Sequence, residues 1–488
     1  MDRVVIVGSG ASGVHFALSV LEKGYDVVML DVGRVKPPVV NPRDTFNELK
    51  QNLDDPARYF LGDDYEGVVY PGSEGEYYGF PPNKSYIFAS PPAFATQSSG
   101  FAALSSFAQG GLAETWTGGA YPLDDTDLGA FPFGYRDLEP FYSEVARRIG
   151  ITGVADDLAR FYPVHANLME PLRLDRHSAL LMERYEQQRG YLNKALGSYI
   201  GRSRVATLSA DRDGRRRCTY LGRCLWGCPS GSLYTPLATL DECRRFSNFT
   251  YVPNVYVNHL RITSGRRVAC AVTEPAEGGG TSEVAGDRFV LAAGTLSSSN
   301  IYLRTVLQET GETIVLGGLM DNRQVLVPFL TLAMIGERYD PDNYQYHQVA
   351  LGFDPGGPQG YVHGQITTLT TALVHPIVQN MPVDLRTALS IFRNVRAGLG
   401  VVNVNLRDSR REGNCVTLSE SRDARPKLVI RYTPPASEAE MMGRVLKTVR
   451  KTLWRLGCVV PPGMSHLRPM GASVHYAGTI PMSATGAP

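Results

Sequence analysis

The chain opens on a block of apolar residues. Val4-Val5-Ile6-Val7 is a continuous run of strand length, closed by small residues and glycines, Gly8-Ser9-Gly10-Ala11-Ser12-Gly13. Apolar positions then recur at helical spacing. A second apolar run, Val27-Val28-Met29-Leu30, ends in Asp31. This pattern predicts strand, tight turn, helix and strand, with strands buried on both faces as in a parallel sheet. A further apolar run, Asp287-Arg288-Phe289-Val290-Leu291-Ala292-Ala293-Gly294-Thr295, lies far downstream and again exits on glycine. It follows β-rich sequence at Phe249 to Leu260 and Val268 to Thr273. A strand returning from so far along the chain implies a discontinuous domain.

From about Gly318 to Tyr432 the chain reads as strands of aromatic and β-branched content: Val325 to Met334, Tyr346 to Phe353, Tyr361 to Ala372 and Lys427 to Tyr432. Turn clusters such as Asp354-Pro355-Gly356-Gly357-Pro358 separate them, and an antiparallel sheet is expected. Leu385 to Leu399 reads as a helix on the outer side of that sheet. Ala436 to Leu456 reads as an amphipathic helix leading back to the first domain. The segment Tyr65 to Ser90, rich in Tyr, Gly and Pro, reads as an irregular packed loop or as a cover over a site. The fold class is α/β, with two domains expected.

Composition narrows the function. The formal net charge is +1 over 488 residues, with no basic block suited to a phosphate backbone, so nucleic acid is not an expected partner. No run of about 18 apolar residues occurs, so no membrane span is expected. Seven cysteines in a chain of this length do not form a disulfide scaffold. With no signal-like segment ahead of the first strand, a cytoplasmic location with reduced thiols is expected.

The first turn carries the first chemistry. In G-x-G-x-x-G, Gly8 permits the tight turn, Gly10 lets backbone N–H groups approach a pyrophosphate at the helix N-terminus, and Gly13 lets helix and strand pack closely. Asp31 stands where a carboxylate accepts from a ribose. Dinucleotide binding follows, without separating NAD from FAD.

Three later segments complete the pattern: Gly110-Gly111-Leu112-Ala113-Glu114-Thr115-Trp116-Thr117-Gly118-Gly119, Gly294-Thr295-Leu296-Ser297-Ser298-Ser299-Asn300, and His475-Tyr476-Ala477-Gly478-Thr479. With the first turn, and in this order, they make nearly the whole chain resemble the glucose–methanol–choline (GMC) family of FAD-dependent oxidoreductases. The match departs at Tyr302-Leu303, where the family signature has two aliphatic residues. The resemblance implies a Rossmann-like FAD-binding domain over residues 1–314, with inserted loops and a cap at about 36–95, completed by 457–488. It implies an antiparallel-sheet substrate domain over 315–456.

It also implies roles. Gly8, Gly10 and Gly13 hold the FAD pyrophosphate, Asp31 the adenosine ribose, and the backbone of Val255 the adenine. Gly110 and Gly111 pass close to the flavin, with Trp116 and Thr117 nearby, and Gly294 marks a second close approach. Thr115 stands where some sugar oxidases of the family carry a histidine bonded to the flavin, so noncovalent FAD is expected. His475 is the base that takes a hydroxyl proton while hydride leaves carbon for flavin N5. The expected substrate is a small-molecule alcohol or sugar hydroxyl (sugar, glycoside, polyol or aminosugar), and the acceptor is oxygen or a redox partner. Family members continue beyond H-x-x-G-T with a segment supplying a second catalytic residue, Asn or His. The last residue here is Pro488, so either that tail is missing or another segment closes the site.

Cys218, Cys224 and Cys228, in Cys-x5-Cys-x3-Cys-Pro, read in two ways. Their spacing is similar to that of GMC sugar dehydrogenases whose iron–sulfur cluster passes electrons to a cytochrome. The other reading is a structural Gly-Cys-Pro turn. Zinc lacks a fourth nearby ligand. Three functions therefore stand open: an FAD oxidase, a cluster-containing electron-transfer subunit, and a flavin-binding remnant without turnover.

Overall fold

The structure, a computed structural model, describes residues 2–68, 76, 79–265, 267–338, 340–355, 360–369, 378, 381–420 and 425–482. Gly356-Gly357-Pro358 of the turn cluster, the end of the strand expected up to Ala372, and residues 69–75 and 77–78 of the tyrosine-rich loop lie outside them.

The first apolar run becomes the strand Arg3–Val7, inside a four-stranded parallel sheet. Asp26–Leu30 pairs on one side and Arg288–Leu291 on the other, and Phe249–Val252 extends the sheet past Asp26–Leu30. Both faces are covered, which is why the run is apolar throughout. Helix Ala11–Leu21 buries Val14, Ala17, Leu18 and Leu21 against Val4, Ile6, Val27 and Met29. On the other face Val5, Val7 and Leu30 pack against Val257, Leu260 and Ile301. Each such side chain fully buried contributes about 1.5–3 kcal/mol. The β-rich stretch from Phe249 divides at Pro253-Asn254, where Asn254 takes a left-handed backbone (φ 60). Phe249–Val252 stays in the parallel sheet, while Val255–Ile262 turns into a three-stranded antiparallel sheet with Val268–Pro275 and Ser282–Ala285.

The second sheet is antiparallel and seven-stranded: Cys458–Val459, Arg323–Thr331, Leu399–Leu406, Val362–Thr368, Val349–Phe353 and Ser198–Arg202 in spatial order, with His466–Leu467 also paired to Arg323–Thr331. Its edge strand Ser198–Arg202 and the covering helix Arg176–Ala195 come from the stretch expected in the nucleotide-binding part. One face packs Val325, Val327, Val402 and Val404 under Leu181, Tyr185, Val445, Val449 and Leu453 of helices Arg176–Ala195 and Glu438–Arg455. The other face is polar: His363 lies opposite Asn405, Gln365 opposite Asn403, and Gln324 opposite Asn405 on its other side.

The helix expected up to Leu399 stops at Val395, and residues Arg396–Gly398 form a 3-10 turn. A Cβ on Gly398 would stand 2.7 Å from the Thr331 carbonyl, so this close approach ends the helix and Leu399 begins a central strand. A smaller sheet, Leu316–Gly317, Cys415–Leu418, Leu428–Arg431 and Thr96–Ser99, flanks helix Thr295–Thr310. Among the described residues no helix is long and apolar enough to cross a membrane.

Candidate functional site

The glycine turn behaves as its spacing demands. Gly8 has φ +100, and a Cβ there would stand 2.7 Å from the Ala292 carbonyl oxygen. A Cβ on Gly13 would stand 2.0 Å from the Gly8 carbonyl oxygen, so helix Ala11–Leu21 packs on the turn only with glycine there. Gly10 is different. A Cβ there would meet nothing nearer than the Gly110 carbonyl at 3.9 Å, because its open side faces a cleft. The helix starting at Gly10 has no side-chain cap, so its first N–H groups are available to an anion. Helix Thr295–Thr310 begins on the same cleft at Gly294 (φ 78), also without a side-chain cap. Two bare helix N-termini thus share one wall, each the positive end of a macrodipole.

The cleft has a volume of about 270 Å³ and is lined by Gly8, Gly10, Asp31, Gly110, Gly111, Val255, Gly294 and Tyr476. Asp31 is buried and accepts from the Ser9 hydroxyl and from Tyr251 OH at 3.0 Å. Burial pushes its carboxyl up to about 6 against these donors. Ser9 Oγ also accepts from Gly110 N–H at 3.1 Å, tying the acid to the glycine pair. Gly110 and Gly111 are both left-handed (φ 85 and 62), and a Cβ on Gly111 would stand 3.5 Å from Gly10 Cα. Val255 lines the cleft, but its N–H donates to the Asp31 carbonyl at 2.9 Å and is not free for a ligand. Trp116 and Thr117 do not line the cleft. Trp116 Nε1 donates to the Tyr234 carbonyl at 2.7 Å, and the Thr117 carbonyl accepts from Tyr344 OH at 3.2 Å. Trp116 instead borders a separate cavity of about 240 Å³ with Lys84, Glu114, Cys224 and Cys228.

The His475 segment docks on the helix that begins at Gly294. The Tyr476 carbonyl accepts from Thr295 Oγ1 at 2.6 Å, and Thr479 Oγ1 lies 2.8 Å from Ser299 Oγ. Ala477 and Met320 exchange backbone hydrogen bonds of 3.1 and 2.9 Å. Gly478 has φ +94, and a Cβ there would fall 2.1 Å from the Gly318 carbonyl. His475 is solvent-exposed, yet the protein around it lowers its pKa by desolvation, opposed by Asp321 and reinforced by Arg468. His475 itself lines neither the cleft nor the larger cavity beside it, whereas the next residue, Tyr476, lines both. A larger cavity of about 1370 Å³ shares Ser12, Gly294, Thr295 and Tyr476 with the cleft and reaches Arg407 and Arg410. FAD fits these residues: an open glycine and two bare helix N-termini for a pyrophosphate, and a buried acid beside them for a ribose.

The cysteine loop does not meet the iron–sulfur expectation. Among the described residues no group of three or more His, Cys, Asp or Glu is placed to hold a metal ion. Cys218 and Cys224 pack with Leu172, Val205 and Tyr344, and Cys228 Sγ lies 3.4 and 3.2 Å from Ser230 Oγ and Ser232 Oγ. Burial pushes the Cys218 thiol up to about 11 and raises Cys224 as well. Despite burial, hydrogen bonds lower Cys228.

Four residues around the site escaped the sequence reading: Ser9, Tyr251, Asp321 and Ser473. Ser9 sits at a variable position of the glycine motif, and Ser473 two residues before His475. Asp321 lies two residues before the start of the strand Arg323–Thr331. Ser9 and Ser473 carry a signal only as polar residues beside a motif, and Tyr251 and Asp321 adjoin none.

No family model matches the sequence, and no curated protein matches it. Solved structures share its fold, two oxidases among them. Pyridoxine 4-oxidase from Mesorbium loti superposes with TM-score 0.54 at 16% identity, over 98% of this chain and 87% of that one. Formate oxidase superposes with TM-score 0.55 at 12% identity, over 98% of this chain and 84% of that one. Identities this low carry the fold alone.

Proposed function

We propose that this chain is a GMC-type, FAD-dependent oxidoreductase that removes hydride from a hydroxyl-bearing carbon, with His475 as the base. One observation carries the reading. The glycine turn, Asp31, the Gly110–Gly111 pair and the N-terminus of helix Thr295–Thr310 converge on one cleft, and the H-x-x-G-T segment is hydrogen-bonded to that same helix. The oxidase names of both fold relatives support the class and favour oxygen as acceptor.

Bound FAD supplies a hydride acceptor. The chain supplies the rest. Bare helix N-termini offset pyrophosphate charge, and Asp31 accepts from ribose hydroxyls. The lowered pKa of His475 keeps its imidazole neutral near neutral pH, ready to take the substrate hydroxyl proton. The substrate class proposed is a hydroxyl-rich small molecule such as a sugar or polyol, in keeping with the family resemblance of the sequence. The domain division follows the two large sheets, the parallel one holding FAD and the antiparallel one the substrate. Thr115 supports noncovalent attachment.

The test is the absorption spectrum of anaerobically purified protein, with flavin and iron quantified. Flavin bands, release of the flavin on acid precipitation and no stoichiometric iron are expected. His475→Gln should keep the flavin and slow its reduction by substrate roughly 10²- to 10⁴-fold. Protein that takes up no flavin even when refolded with FAD overturns the reading.

A further inference from the structure

We propose that Asp321 and Ser473 form a relay that fixes the proton of His475 on Nδ1 and leaves Nε2 as its free basic nitrogen. This rests on the reading of His475 as the base.

The argument is a count of protons. Asp321 is buried at 2% exposure. One of its carboxylate oxygens accepts from Gly471 N–H at 2.7 Å, and the other accepts from the Ser473 hydroxyl and from His475 N–H at 3.2 Å. Burial raises the Asp321 carboxyl pKa, and the hydrogen bonds from Ser473, Gly471 and His475 oppose this by favouring its ionised form; in that form it has no proton to give, and serine has one. That proton points to Asp321. Ser473 Oγ also lies 3.3 Å from His475 Nδ1 and 3.2 Å from His475 N. Toward the ring it can present only lone pairs, so Nδ1 carries the hydrogen. A neutral imidazole protonated at Nδ1 has its lone pair at Nε2.

The backbone is held with equal care. Val474, a β-branched residue, adopts φ 65 between Ser473 and His475. Such a residue rarely takes this conformation unless its surroundings over-determine it. Asp321 accepts from Gly471, Ser473 and His475, bracketing Val474 on both sides, and Val474 N–H itself donates to the Gly471 carbonyl. The charged groups acting on the ring are Asp321, which raises its pKa, and Arg468, which lowers it. Behind Asp321, the Asp408 carboxylate accepts the Asp321 N–H at 3.2 Å. Asp321 and Ser473 are therefore positioning residues acting through His475.

The first test needs no turnover. In FAD-loaded protein labelled with ¹⁵N-histidine, the ring signals lost in His475→Gln identify His475, and their shifts should report the Nδ1–H tautomer at neutral pH. The Nε2–H tautomer overturns the proposal, whether or not His475 is the base. The second test is Asp321→Asn, whose amide can donate to Ser473 and reverse the hydroxyl. Flavin content should persist. The rate of flavin reduction should fall about 10²- to 10⁴-fold, as for a base held in the wrong tautomer. The acid limb of the pH profile should move to lower pH, because a negative charge beside the imidazole is gone. Ser473→Ala should lose activity and Ser473→Thr recover most of it. A flavin-loaded Asp321→Asn protein with unchanged rate and profile overturns the relay. If that variant fails to fold, the tautomer and the Ser473 pair still decide. Full activity in His475→Gln, by contrast, overturns the base assignment and leaves the tautomer measurement standing.

Discussion

Asp31 pairs the ribose-binding role proposed for it with a stability cost. Its folded carboxyl holds a proton to about 6, whereas the ordinary value is 3.8. Between those values the folded state binds more protons than the unfolded one, so this group's contribution to stability falls as pH rises from about 4 to about 6 and is flat above 7. A difference of that size is worth on the order of 3 kcal/mol. Flavin-free Asp31→Asn is therefore expected to melt at higher temperature than the flavin-free parent at pH 7, with the gap closing toward pH 4. Flavin affinity should drop on the order of 10-fold, since a charged hydrogen bond to the ribose is lost. Thermal melts across pH, with flavin titrations, check both halves. Gly13 makes a sharper case. A methyl group 2.0 Å from the Gly8 carbonyl must push the helix off the turn. Gly13→Ala is expected to cost about 1–3 kcal/mol and to purify with little flavin. Undiminished flavin content would mean that the turn relaxes freely.

The strands and helices differ in how far they could be read from the chain alone. Arg3–Val7, the glycine turn, helix Ala11–Leu21 and helix Glu438–Arg455 were legible because each satisfies its own period and punctuation locally. Helix Arg176–Ala195 went unread, although Asp175 caps it and Leu181, Tyr185 and Leu192 form its buried side. Strand Ser198–Arg202, with Gly201 in its interior, has little strand character of its own and is defined by pairing to Val349–Phe353. The residues of the candidate site divide in the same way. The glycines and Asp31 lie in one contiguous motif, whereas Asp321 meets His475 across 154 residues, and no local period records such a meeting. Trp116 and Thr117 lie only a few residues from Gly111 in sequence, yet the turn Gly111–Glu114 and the bond from Trp116 to Tyr234 leave them outside the lining of the cleft. The core of the second sheet also gives an element-scale test. Leu453 is 1% exposed and packs on the face opposite the polar row. Leu453→Ala should lower unfolding free energy by about 2–5 kcal/mol, while flavin content at low temperature stays at the parent value. Denaturant melts with flavin assays separate the two.

At the scale of the molecule, the four-stranded parallel sheet is assembled from strands that start at residues 3, 26, 249 and 288. Between the last two, the exposed turn at residues 277–280 joins strands Val268–Pro275 and Ser282–Ala285. A protease cut there severs the chain but not the sheet, because Phe249–Val252 and Arg288–Leu291 each remain paired to the N-terminal βαβ unit. The nicked protein is expected to run as one species on a native gel and to keep its flavin. Separation of the fragments would show that continuity of the chain, and not pairing, holds the sheet.

The same interrupted sheet sets a schedule for biosynthesis. Arg3–Val7 leaves the ribosome first, yet its neighbour Arg288–Leu291 is made some 280 residues later. At about 5–20 residues per second that is a wait on the order of 15 to 60 seconds. Throughout it, a Val-Val-Ile-Val strand stands with one edge unpaired in a crowded cell, open to association with any other nascent strand. Yield on expression should therefore depend on slow translation partners such as holdase chaperones and on low temperature far more than the finished protein's stability would suggest.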